Sequence, residues 1–164
     1  MDDGRVDTDH FIAARGAEWA RLRRDLHAHP ELAFAEHRTG DLVAARLAAA
    51  GLQVRRGLGG TGVVGLLDGR KPGPGLGLRA DMDALPMHEA NNFAHRSVHA
   101  GRMHACGHDG HTAMLVAAAE TLAQSPDFAG RVAFIFQPAE EGDGGARRMM
   151  DDGLFTEFPC EEVY

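Results

Sequence analysis

Apolar residues recur at helical spacing between Phe11 and His27, where Phe11, Ile12, Trp19, Leu22 and Leu26 share one stripe and Pro30 closes the segment. Leu42, Val43 and Leu47 repeat the pattern between Thr39 and Ala50, with Gly51 placed to cap the carboxyl end. The pattern then changes character. Leu52–Arg56 and Val63–Leu67 are short apolar runs separated by Gly57, Gly59, Gly60 and Gly62, which predicts two strands joined by a glycine-rich turn. Lys71–Gly75 reads as a further turn, and Leu76–Ala80 as a short strand running into Asp81 and Asp83. Thr112–Gln124 is rich in Ala and Leu and reads as a helix. Val132–Phe136 is an unbroken apolar run, as expected of a strand buried on both faces. Gly145–Asp152 predicts a turn or two of helix, ended by Gly153. Strands and helices alternate, and metal-capable residues follow the strands. This predicts a three-layer αβα domain of the α/β class with a mixed sheet, its ligands at the carboxyl ends of the strands.

Composition narrows the function classes. The 164 residues carry 17 basic and 24 acidic side chains, a formal net charge of −7. That balance speaks against a nucleic-acid or membrane-surface partner, since phosphate binding needs a basic face. A small anionic substrate needs only one or two local cations. Two cysteines, Cys106 and Cys160, make no disulfide framework. The acidic stretch Met1–Asp9 lacks the features of a signal peptide, and no apolar run approaches a membrane span, so the expected location is cytoplasmic. The run Gly57–Gly65 superficially matches a dinucleotide fingerprint. That motif needs a helix after its glycines, whereas Val63–Leu67 reads as a strand, so a hairpin turn is the better account.

Ten histidines is a high count for this length. Of these, His10, His37, His88, His95 and His99 read as solvated surface residues. The densest chemistry lies in His104-Ala-Cys106-Gly-His108-Asp109-Gly-His111. On an extended segment His104, Cys106 and His108 alternate onto one side and converge, while on a helix they diverge. Thiolate and imidazole suit zinc and similar divalent ions. A closed structural zinc site would want paired cysteines, and Cys160 stands alone. A second cluster, Gln137-Pro-Ala-Glu140-Glu141-Gly142, follows the Val132–Phe136 strand. Adjacent side chains there point to opposite sides, so one carboxylate can bind metal while its neighbour takes a proton from attacking water. Taken alone, the cluster reads better as a solvated acidic loop. In the third, Arg79-Ala-Asp81-Met-Asp83, two carboxylates two residues apart can bind metal or orient a ligand histidine, or merely cap a loop.

Three runs coincide in order and spacing with one family. Arg79–Pro86 (RADMDALP), Gly101–His111 (GRMHACGHDGH) and Phe136–Ala146 (FQPAEEGDGGA) resemble the hippurate hydrolase and N-acyl-amino-acid amidohydrolase branch of the dinuclear metallopeptidases, and Leu26–Glu36 (LHAHPELAFAE) is similar to its amino-terminal segment. The resemblance implies a zinc-aminopeptidase-like catalytic domain and two divalent ions, Mn2+ or Zn2+, with Co2+ or Ni2+ as further options. It implies Cys106, His108 and Glu141 as ligands, with Cys106 bridging, Glu140 as general base, and Asp81 and Asp83 beside or among the ligands. His104, Asp109 and His111 belong to the motif without an assigned role. The implied substrate is an N-acyl-amino acid, with an aminopeptidase or dipeptidase as the rival activity. The family chain is more than twice as long. Residues 1–164 therefore correspond to the first part of the catalytic domain, without the lid and dimerisation domain that would make the parent a homo-oligomer. On this expectation the chain alone is an inactive fragment that folds poorly, or a weak metal binder.

Overall fold

Residues 7–164 are described by the computed structural model, so most of the Met1–Asp9 stretch lies outside the described residues. Helix α1, Thr8–Ala28, starts at Asp7, whose carboxylate accepts the His10 amide at 3.1 Å. It buries Trp19, Leu22, Leu26 and His27, most of the stripe read from the sequence. Helix α2 spans His37–Ala49 and buries Val43 and Leu47. Strands β1 (Gln53–Leu58) and β2 (Gly62–Asp68) form an antiparallel hairpin. The turn requires glycine at Gly62, where a Cβ would lie 2.3 Å from the Leu58 carbonyl oxygen. No helix follows these glycines, which removes the dinucleotide reading.

Strand β3 runs from Lys71 to Asp81, five residues longer at its start and one at its end than the 76–80 strand expected. Lys71–Gly75 is thus not a turn. It pairs with the following strand across a register shift between Lys71 and Gly75. Pro72 and Pro74 lack amide protons, and Gly73 packs against Gly130, so the sequence carries turn residues in an irregular strand end. Helix α3 spans His108–Gln124 and β4 spans Ala129–Gln137. Short helices α4 (Gly145–Asp151) and α5 (Leu154–Glu157) and the two-residue strand β5 (Glu162–Val163) complete the order. The last two are too short to leave a periodic signal.

The sheet order is β1-β2-β4-β3-β5. The β1–β2 and β2–β4 pairs are antiparallel, and β3 is parallel to both β4 and β5, so the sheet is mixed. On one face Leu26, Val43, Leu47 and Val116 of α1–α3 pack on Val63, Leu67, Phe134 and Phe136. On the other, Met149, Leu154 and Phe158 pack on Val64, Leu66, Ala133 and Ile135. Alternate residues of β2 and β4 thus feed two separate cores, which is why both strands are apolar throughout. Among the described residues no helix is long and apolar enough to cross a membrane.

Candidate metal centre

Asp81 and Gln137 are register partners at the carboxyl ends of β3 and β4, so the chain leaves both strands at the same place. The third contributor is the amino terminus of α3. Gly107 turns the chain there with φ +89°, a left-handed conformation that favours glycine, and His108 becomes the first helical residue.

His108 is 3 % exposed and held on both sides. Its Nδ1 donates to the Asp83 carbonyl oxygen at 2.9 Å, with Asp83 Oδ1 3.3 Å away. A carbonyl only accepts, so the proton sits on Nδ1 and Nε2 is left with its lone pair. That nitrogen lies 3.6 Å from Asp81 Oδ1 and 3.8 Å from both Glu140 Oε2 and Glu141 Oε1. Cys106, His108 and Glu141 each offer a donor atom within 4.8 Å of the other two. Zinc bonds of about 2.0–2.3 Å place donors on one ion up to roughly 4 Å apart, so a small contraction closes this set. Glu141 Oε1 is buried with no hydrogen-bond donor, as a carboxylate oxygen awaiting a cation would be. A second group, Asp81, His108 and His111, meets the same spacing. There Asp81 is already engaged, by His111 Nδ1 at 2.7 Å and Arg79 at 2.9 Å.

The metal-free electrostatics are those of a cation site. Burial pushes the Asp83 carboxyl up, but hydrogen bonds from His108 and the Glu141 and Glu140 amides outweigh it and hold the group below the usual carboxylate range. Burial likewise disfavours His108 as a cation, and the Asp83 hydrogen bond with the Asp81 and Asp83 charges outweighs it, raising its pKa. The Cys106 thiol is pushed up, first by its hydrogen bond to Glu141, then by burial and the surrounding carboxylates.

Two expectations are corrected here. His104, Cys106 and His108 do not converge as on an extended strand. Cys106 and His108 come together across the turn at Gly107, while His104 lies outside that set, buried with neither ring nitrogen partnered. Burial lowers its pKa to about 4. Glu140 and Glu141 do not diverge to opposite sides either. The preceding Ala139 has φ +51°, so the segment is a turn and not a strand end, and both carboxylates approach the same His108 nitrogen. The sequence reading also missed the supports. Asp109 is fully buried and binds His27 Nδ1 at 2.9 Å and Arg23 at 3.0 Å. His27 Nε2 meets Glu89 at 3.1 Å, and Glu36 is completely buried beneath the Ala139 turn. The only sequence signal for His27, Glu36 and Asp109 was membership of the Leu26–Glu36 and Gly101–His111 runs, and Arg23 and Glu89 lie in neither.

Comparison with known proteins agrees with this geometry. The family model described as peptidase family M20/M25/M40 matches residues 77–164. The chain is 48 % identical to the hippurate hydrolase of Campylobacter jejuni, covering 90 % of this chain and 38 % of that one. It is 46 % identical to thermostable carboxypeptidase 2 of Saccharolobus solfataricus, covering 83 % and 36 %. Among solved structures, the YXEP protein of Bacillus subtilis, a dinuclear metal binding peptidase, superposes with a TM-score of 0.87 at 38 % identity, over 92 % of this chain and 42 % of that one. The chain thus spans about two fifths of the length of the proteins it matches.

Proposed function

The chain belongs to the peptidase family M20/M25/M40, and from that footing we propose that it supplies the metal-binding and proton-transfer residues of an amidohydrolase acting on N-acyl-amino acids. The observation that carries this reading is the approach of Cys106, His108 and Glu141 donor atoms to within 4.8 Å beside Glu140. Thiolate, imidazole and carboxylate form a donor set suited to Zn2+ or Mn2+. Bound divalent ions supply Lewis acidity, polarising the scissile carbonyl and acidifying water.

The chain's own residues take the remaining roles. Asp83 keeps the His108 proton on Nδ1 so that Nε2 faces the site. Cys106 and Glu141 present their donors from the segment just before α3 and from the loop after β4. Glu140, with its side chain 41 % exposed, faces the open side of the cluster. It takes the proton of the attacking water as the new C–O bond forms, and returns it to the amine as the C–N bond breaks. Relatives of this chain bear the names hippurate hydrolase and carboxypeptidase, both of which denote cleavage of an amide bond to an amino acid. That shared cleavage supports the proposed substrate class. Among the described residues Cys106, His108 and Glu141 suffice for one ion, and the second group, Asp81, His108 and His111, shares His108 and has Asp81 already engaged by His111 and Arg79. We therefore assign turnover to a longer assembly and none to these 164 residues alone. The free, exposed Cys106 suits a reducing, cytoplasmic setting.

The test is a chimera in which this chain replaces the matching segment of the Campylobacter hippurate hydrolase, assayed on hippurate and N-acetyl-amino acids with Mn2+ or Zn2+. The chimera turns substrate over. With Glu140→Gln it keeps its metal and loses about 10²–10⁴ in rate. Near-normal turnover in Glu140→Gln overturns the assignment of the base.

A further inference from the structure

We infer that Glu36 is a positioning residue for the loop that presents Glu140 and Glu141, an inference that rests on the metal-centre reading above. Glu36 ends the Leu26–Glu36 run and immediately precedes α2, yet none of it is exposed. Its Oε1 accepts the Ala139 amide at 2.9 Å, from a residue 103 positions away, and its Oε2 accepts the Thr61 hydroxyl at 2.5 Å. No positively charged group is among these partners. A carboxylate is a costly occupant of such a place, where an apolar side chain would only fill space.

What it holds explains the cost. Ala139 is fully buried at φ +51°, a conformation L-residues other than Asn and Asp rarely adopt. Its amide has Glu36 as acceptor, and its carbonyl accepts the Gly145 amide at 3.1 Å. Two residues on, the Glu141 amide donates to Asp83 Oδ2 at 3.0 Å. The backbone amides of the residues on either side of Glu140 are thus pinned by two carboxylates from different parts of the chain. Glu140 itself reaches the cluster only at 3.8 Å, so the backbone sets its aim, and the same turn delivers Glu141. Without the Glu36 carboxylate, the Ala139 amide is buried without an acceptor and the left-handed turn loses what holds it. Both glutamates then move relative to Cys106 and His108.

The experiment uses the 164-residue chain, with Co2+ as probe. Affinity is read from thiolate-to-cobalt absorption, and protection of the Ala139 amide from hydrogen exchange. Glu36→Ala weakens Co2+ binding by about tenfold or more, the range for residues that hold ligands in place, and exposes the Ala139 amide to exchange. Glu36→Gln retains both, because its amide oxygen still accepts from Ala139 while its NH2 donates to Thr61. Val43→Ala, which destabilises the α2 core without touching the turn, leaves both readouts unchanged in the folded protein. Should Glu36→Ala fail to fold, Glu36→Asp replaces it: the charge stays, the reach shortens, and Co2+ affinity falls all the same. Wild-type affinity and a protected Ala139 amide in Glu36→Ala or Glu36→Asp overturn the inference, as does a parallel loss in Val43→Ala. If the wild-type chain gives no thiolate–cobalt band, the metal-centre reading fails. The exchange measurement then decides the role of Glu36 by itself: lost protection in Glu36→Ala with rescue in Glu36→Gln supports it, and unchanged protection refutes it.

Discussion

At the scale of single residues, the cluster is arranged so that protons occupy the places a cation would take. The hydrogen bond to Glu141, burial and nearby carboxylates hold the Cys106 thiol protonated, and the Asp83 and Asp81 carboxylates raise the pKa of His108 against the effect of burial. Both shifts are upward, so protons compete with metal over a wider range than for free side chains. The competition is complete below the raised pKa values and is lost as pH rises through them. The apparent affinity for Zn2+ or Co2+ should therefore climb from about pH 6.5 to beyond about pH 9, with protons released on binding. Calorimetry in buffers of different ionisation enthalpy checks this, and an affinity independent of pH over that range contradicts it. The gathering of Cys106, His108, Glu140 and Glu141 was legible through the runs that resemble the family, whereas the glutamate pair taken alone read as a solvated loop. His104 was misread because the every-second-residue rule needs an extended strand, and residues 104–107 belong to none. Glu36 and Asp109 act through contacts with residues far away in sequence, which no local pattern encodes.

At the scale of elements, the long helices and the buried strands announced themselves through periodicity, and their ends did not. Helix α3 begins four residues earlier than its apolar pattern, because the polar residues His108 and Asp109 occupy its first turn. Strand β3 hid behind prolines and glycines that normally mark turns. The loop between β4 and α4 is the element on which the site depends most. A Cβ at Gly145 would lie 1.7 Å from the Pro138 carbonyl oxygen, so backbone and not a yielding side chain occupies the space. Gly145→Ala must displace the Pro138–Glu141 segment. The expected outcome is a loss of about 2–4 kcal/mol in stability, in the range of severe steric substitutions, together with loss of metal affinity. Denaturant melts with and without Co2+ measure both, and a variant as stable and as tightly metal-binding as the wild type would show that the loop does not need this close approach.

At the scale of the whole molecule, the alternation of strands and helices fixed a three-layer architecture with a mixed sheet, and the two cores on either side of β2 and β4 bear it out. The strand order was not legible, since β4 inserts between β2 and β3 through contacts that no local signal specifies. That insertion is what brings the ends of β3 and β4 together and places the Asp81–Asp83 and Glu140–Glu141 segments against the first turn of α3. The central claim is that this convergence makes a divalent-cation site with Cys106 as a ligand and Glu140 beside it. Its most direct test is a Co2+ titration of the 164-residue chain followed by thiolate-to-cobalt charge-transfer absorption, compared across Cys106→Ser, Glu141→Gln and Glu140→Gln. The account predicts a saturable band in the wild type and in Glu140→Gln, a weakened one in Glu141→Gln and none in Cys106→Ser. No saturable band in the folded wild-type chain, or one that survives in Cys106→Ser, would contradict it.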